Sequence, residues 1–161
     1  MNQAVIRNEL ILSYPDGFHE MDREELKKLY LDDNPNRWGI WDQDRHIVVA
    51  VFWHETIAFL SSLAGARDVA KTTEKKLRKG LKHYGYHCDG FFSETLCGEE
   101  VPGFRYTYQL GDVTQAAEVL VLKRKTVCYT IYFYTREKLA SASRPVFEKI
   151  LHSMQNAVED L

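Results

Sequence analysis

Three groups of residues in this 161-residue chain have types and spacing that could do chemistry. Asp42, Asp44 and His46 recur at period two, so an extended strand would carry them on one face. Such groups bind hard or borderline metals. The same three fit a hairpin tip, where aspartate closes turns, and a metal site needs further converging ligands. The turn is the preferred reading, and no metal or other cofactor is expected. His83 and His87, followed by Cys88, have i, i+4 spacing, but the intervening Gly85 ends a helix and breaks the alignment. Cys97 would need a neighbouring base to act as a nucleophile, and the adjacent Gly-Glu-Glu run dulls a thiol. It reads as a structural thiol. The chain has no Gly-x-Ser-x-Gly elbow, phosphate-binding glycine loop or HExxH zinc motif. A non-enzymatic protein is expected.

Two surfaces are candidates for binding instead. Arg67 to Lys82 holds seven basic and two acidic residues in a chain of net charge -2. Lys71, Lys75, Arg78, Lys79 and Lys82 recur at helical spacing, which makes them one basic helix face. Such a face is commonly just solvated, but it also suits an acidic partner. It lacks the interleaved aromatics that stack bases, so nucleic acid is not the expected partner. The second surface is aromatic: the chain has nine Tyr, eight Phe and three Trp. On the strand from Val127 to Tyr134, Tyr129, Ile131 and Phe133 alternate with Cys128, Thr130, Tyr132 and Tyr134. Tyr106 and Tyr108 share a face of another strand. Most of these rings are expected in the core. Any left open, namely Tyr106, Tyr108, Tyr132 and Tyr134 with Trp38, Trp41 or Trp53, would line a groove between sheet and long helix for a small molecule or a partner.

The elements that position these residues follow from periodicity and punctuation. Leu10, Leu12 and Tyr14 alternate with Glu9, Ile11 and Ser13 as a first strand with one strongly apolar face, and Tyr14-Pro15-Asp16-Gly17 is a turn. Asp22 and Glu25 form a capping box for a short helix, Arg23 to Tyr30. Trp38–Asp42 and His46–His54 make a hairpin, the second arm rich in valine. Thr56 to Ala66 reads as a loop or helical entry. Asp68 to Tyr84 is the long helix, with Ala70, Thr73, Leu77, Leu81 and Tyr84 on one face. Strands over Tyr86–Leu96, Phe104–Leu110, Ala116–Arg124 and Val127–Arg136 form an antiparallel meander. A last helix spans Arg144 to Val158, with Pro145 in its first turn. The sum is an α+β fold: a mostly antiparallel β-sheet of about six to seven strands sandwiched by helices.

Composition bounds the rest. The length fits a single domain over residues 1–161 that builds a core without staples. Three cysteines, Cys88, Cys97 and Cys128, are no disulfide framework. Met1 to Leu12 lacks a secretory pattern and no run is long enough to span a membrane, so a cytoplasmic protein is expected. An exposed edge strand in the meander would allow pairing with a second copy.

The pattern resembles a known family, the PsbP-like fold of the photosystem extrinsic protein PsbP and the Mog-type Ran-binding protein. The likeness covers nearly the whole chain. It rests on Leu12-Ser13-Tyr14-Pro15-Asp16-Gly17-Phe18, on the helix Asp68 to Tyr84, and on Arg105 to Tyr108 and Leu120 to Tyr134. It closes on Phe147-Glu148-Lys149-Ile150-Leu151-His152-Ser153, a final helix ending in serine. The resemblance implies an α+β sandwich that binds a protein partner or assists assembly, with no catalytic residues to carry over.

Overall fold

The computed structural model describes residues 1–55, 65–124 and 126–157. The expected loop or helical entry at Thr56 to Ala66 lies almost wholly outside them. The strands are β1 (Asn2–Ile6), β2 (Leu10–Tyr14), β3 (His19–Glu20), β4 (Arg37–Asp42), β5 (Ile47–Glu55), β6 (His87–Leu96), β7 (Glu99–Leu110), β8 (Val113–Lys123), β9 (Val127–Arg136) and β10 (Gln155–Asn156). The helices are α1 (Arg23–Tyr30), α2 (Ala66–Gly80) and α3 (Ala140–Ser153).

Seven strands form one antiparallel sheet in the order β3-β4-β5-β9-β8-β7-β6, and β1-β2-β10 form a second. The α+β sandwich is as expected, but half of one cover is a small sheet. That sheet was half legible. β2 shows the expected alternation, with Leu10, Leu12 and Tyr14 buried. β1 folds back on it through Arg7 and Asn8, both at positive φ (53° and 57°), the signature of a tight hairpin turn.

The period-two pattern divides the large sheet into two apolar faces. On one, Ile47, Val49, Val51, Leu120, Leu122, Tyr129, Ile131 and Phe133 pack beneath the small sheet and α3. On the other, Ala50, Phe104, Tyr106, Val119, Val121 and Tyr132 pack beneath α2. α1 packs over Gly39, where an added Cβ would lie 2.6 Å from Met21 Cε and 3.3 Å from Leu26 Cδ2. α1 has the expected bounds and capping box: Asp22 Oδ1 accepts from the Glu25 N–H at 2.9 Å, and Glu25 Oε1 from the Asp22 N–H at 3.3 Å.

Three boundaries differ from expectation for physical reasons. α2 ends at Gly80 instead of Tyr84, since glycine is a poor helix residue and the Leu81 N–H already caps Leu77 and Lys79. α3 begins at Ala140, four residues early, led in by a short 3-10 turn, so Pro145 sits in its second turn. It stops at Ser153, whose hydroxyl accepts from the Ser13 N–H at 2.8 Å and so ties the helix end to β2. Finally, β6 and β7 are joined by Cys97-Gly98 alone, both at positive φ (53° and 76°), where a longer loop was expected.

Candidate partner-binding site

α2 lies across the large sheet with Ala70 and, unusually, Glu74 buried. Glu74 takes two N–H groups of Arg78, one turn on, and the Tyr86 hydroxyl at 2.9 Å. Burial first and this carboxylate second push the Tyr86 pKa upward. Arg78, expected on the basic face, is therefore turned back along the helix onto an acid. Of the remaining expected members, Lys71, Lys75 and Lys79 are exposed on α2, whereas Lys82 is exposed but lies two residues beyond the helix end; Lys76 and Arg67 of α2 are exposed as well. None of these six makes an ion pair among the described residues.

Beside this stripe lies a hollow of about 320 Å³, lined by Arg67, Ala70 and Lys71 of α2 and by Phe91, Phe92 and Pro102. Phe91 is 51% exposed, high for a large apolar side chain. It sits on β6, the outermost strand of the large sheet. β6 bulges between Cys88 and Gly90, as edge strands often do. Two cations, an open phenylalanine and a sheet edge thus meet in one place.

The aromatic residues divide less simply than the expected groove requires. Tyr106, Tyr108, Tyr132 and Tyr134 do share the α2 face. They stack in pairs, Tyr106 on Tyr108 at 5.9 Å and Tyr132 on Tyr134 at 5.7 Å. Tyr30 and Phe52 continue the row, and the Arg37 guanidinium covers both rings at 4.9 and 4.6 Å. Tyr106 and Tyr132 are core residues; Tyr108 and Tyr134 are half-buried. Burial raises the pKa of every one of these tyrosines, to about 12 for Tyr132. Trp41 stands on the same side of the sheet by register, opposite Val48, with its ring 5.5 Å from His19. Trp38 is the correction: one register step moves it to the opposite face. There it is buried against Tyr14 and its indole N–H donates to Glu20. Trp53 also packs toward that face. A separate hollow of about 480 Å³ between α2 and β5–β9 has Phe52, Val69, Leu77 and Tyr132 among its walls.

The other expected chemistry resolves into structure. Asp42 is buried and closes the β4–β5 turn by accepting from the backbone N–H (3.1 Å) and the guanidinium of Arg45, while His46 adopts positive φ (56°). His83 and His87 are both exposed. All three cysteines are free thiols. Burial chiefly, with Glu99 adding, pushes the Cys97 thiol up.

One cluster escaped the sequence reading. Arg105, Glu118 and Phe133 lie directly opposite one another on β7, β8 and β9. Glu118 is buried and accepts on Oε1 from both Arg105 and Arg144, the latter from α3. A lone glutamate within Ala116-Ala117-Glu118-Val119-Leu120-Val121-Leu122 was the available signal, because a charge in a buried strand needs a partner.

No protein-family model matches the chain, and no curated protein does. Solved structures do. The chain is similar to the cyanobacterial PsbP (CyanoP) of Synechocystis sp., with a TM-score of 0.65 and 16% identity over 93% of this chain and 88% of that one. It is similar to the Saccharomyces cerevisiae Ran-binding protein Mog1p, with a TM-score of 0.60 and 7% identity over 97% and 95%. LpqN, involved in cell envelope biogenesis of Mycobacterium tuberculosis, gives a TM-score of 0.60 and 12% identity over 91% and 82%. The likeness is one of fold, and it is the PsbP/Mog-type fold that the residues resembled. No helix among the described residues is long and apolar enough to cross a membrane.

Proposed function

We propose that this chain is a non-enzymatic protein-binding domain that captures an acidic segment of its partner along α2 and seats an apolar side chain of that segment in the Phe91–Phe92–Pro102 hollow. The observation that carries this reading is the unpaired charge on α2 and the turn that follows it. Six exposed cations on a domain of net charge -2 make no ion pair among the described residues, and clustered charge of one sign steers a complementary partner. The open Phe91 supplies the apolar anchor that interfaces place beside such a rim. A fold shared with a Ran-binding protein supports a protein partner of some kind; the chemistry of this face defines which kind.

The test uses a Glu/Asp-rich peptide carrying one Phe as the probe. Lys71→Glu, Lys75→Glu, Lys79→Glu and Lys82→Glu together should weaken its binding about tenfold or more, since exposed pairs contribute up to about 1 kcal/mol each. Binding should also fall as salt rises. Phe91→Ser should weaken the Phe-bearing peptide and leave an all-acidic one unaffected. Equal binding by the charge-reversed protein, or tighter binding of nucleic acid or anionic vesicles than of the peptide, would sink the proposal.

A second reading, small-molecule binding, is supported by the hollow between α2 and β5–β9. An apolar aromatic ligand there should shift the Phe52 and Tyr132 ring resonances saturably, and Val69→Trp, which fills the space, should abolish the effect. Shifts that never saturate would remove it.

A further inference from the structure

On the face of the sheet opposite α2, a cleft of about 270 Å³ opens between β7–β8–β9 and the start of α3. Small residues create it: Thr107, Ala116 and Thr135 form one register row, and Ala140 faces them from α3. Thr135 and Ser143 share a hydrogen bond at 3.1 Å, so both hydroxyls are already placed. Glu118 lines the cleft, 4% exposed. Its Oε1 holds both guanidiniums, and its Oε2 is buried with no hydrogen-bond partner among the described residues.

An orphaned carboxylate oxygen is costly in a low-dielectric setting and calls for a donor. The charges around it decide which donor. Arg105 lies over the Phe92 ring at 4.0 Å and binds Glu118; Arg144 is divided between Glu118 and Glu148. Both cations are therefore already engaged by acids. Asp89 and Glu137 add two further carboxylates at the lining. Of these, Asp89 has only a 3.4 Å contact to His87, and Glu137 has no ion pair among the described residues. Three acids, Asp89, Glu118 and Glu137, and two arginines line the cleft, so the surplus is negative.

We infer that this cleft binds an organic cation bearing N–H donors, an ammonium or guanidinium group, with Glu118 Oε2 as its primary acceptor. The chemistry is the same for a free amine and for a lysine or arginine side chain of a protein. The site lies on the other face of the sheet from α2 and does not depend on the function proposed for that helix.

The experiment is a titration of the isotope-labelled protein by NMR with methylguanidinium and n-butylammonium. Saturable shifts are expected at the Thr107, Ala116 and Thr135 amides. Tetramethylammonium, which has the charge without the donors, should leave them unmoved. Glu118→Gln should weaken binding about tenfold, the value of one hydrogen bond to a charged group. Because Glu118 also holds two arginines, Ala140→Leu serves as the independent variant: it fills the cleft, leaves every ion pair in place, and should abolish the shifts with the thermal midpoint maintained. A short lysine- or arginine-bearing peptide that outcompetes the free cations would place the source in a partner protein; a polyamine that does so would place it in a metabolite, and either supports the site. Absent saturation, equal shifts from tetramethylammonium, or undiminished shifts in Ala140→Leu would overturn it.

Discussion

Between about pH 10 and pH 12 the domain should unfold in one cooperative step, with tyrosinate absorbance rising as circular dichroism is lost. Tyr106, Tyr129 and Tyr132 are 1%, 0% and 9% exposed. Burial is the largest cause raising the pKa of each, to about 12 for Tyr129 and Tyr132. Neighbouring charges modify this: Glu9 accepts the Tyr129 hydroxyl at 2.6 Å and raises it further, while Arg7 opposes, and Arg37 opposes at Tyr132. These arginines keep their charge across the range. The folded values lie above those of free tyrosine, so the folded state retains protons that the unfolded chain releases. Stability from this source is complete below the free value of about 10 and falls as pH climbs through the folded values. Each ring contributes a slope of about 1.4 kcal/mol per pH unit, or about 4 kcal/mol for the three together. A domain stable by about 5–15 kcal/mol loses that within about one to four such units. The half-buried Tyr30, Tyr108 and Tyr134 shift in the same direction and steepen the fall. A gradual tyrosinate titration at the free value, with the dichroism unchanged, would show these rings to be solvated.

That tyrosine layer shows how far the residues alone could be read. Alternation along Val127 to Tyr134 assigned each ring to its face correctly, because strand periodicity is local. The capping box of α1 was legible for the same reason. Trp38 was misplaced because grouping it with the tyrosines requires the β4–β5 register, which no local pattern supplies. β1 and β10 were missed because each is short, partly exposed and held by pairing with β2. The basic face of α2 was readable from spacing, but Arg78 belongs to Glu74, whose burial depends on the sheet beneath. The Glu118 cluster is the extreme case. It joins β7, β8 and α3, with Arg105 13 residues before Glu118 and Arg144 26 residues after it, and only the packed fold makes its members neighbours.

Phe147→Ala should lower stability by about 3–5 kcal/mol, the range for truncating a fully buried phenylalanine. Phe147 is 0% exposed and stacks on Phe133 at 3.9 Å with the rings 15° apart, so the change removes both buried area and a ring pair. It is the contact by which α3 closes one face of the large sheet, and the guanidinium of Arg144 rests 5.8 Å from the same ring. At about 2–4 °C per kcal/mol for a domain of this size, the thermal midpoint should drop by roughly 10 °C. Phe147→Leu should recover most of the loss, because the volume is nearly kept. The substitution also separates the two faces of the molecule. Cation binding in the cleft should weaken, since Arg144 loses the ring that supports it and Glu118 loses a fixed partner. Acidic-peptide binding should persist at temperatures where the variant remains folded, because α2 packs on the other side of the sheet. An unchanged midpoint would mean that α3 is held chiefly by its polar contacts, the Ser153–Ser13 and Arg144–Glu118 bonds. Peptide binding lost together with the cleft would mean that the two faces communicate through the sheet.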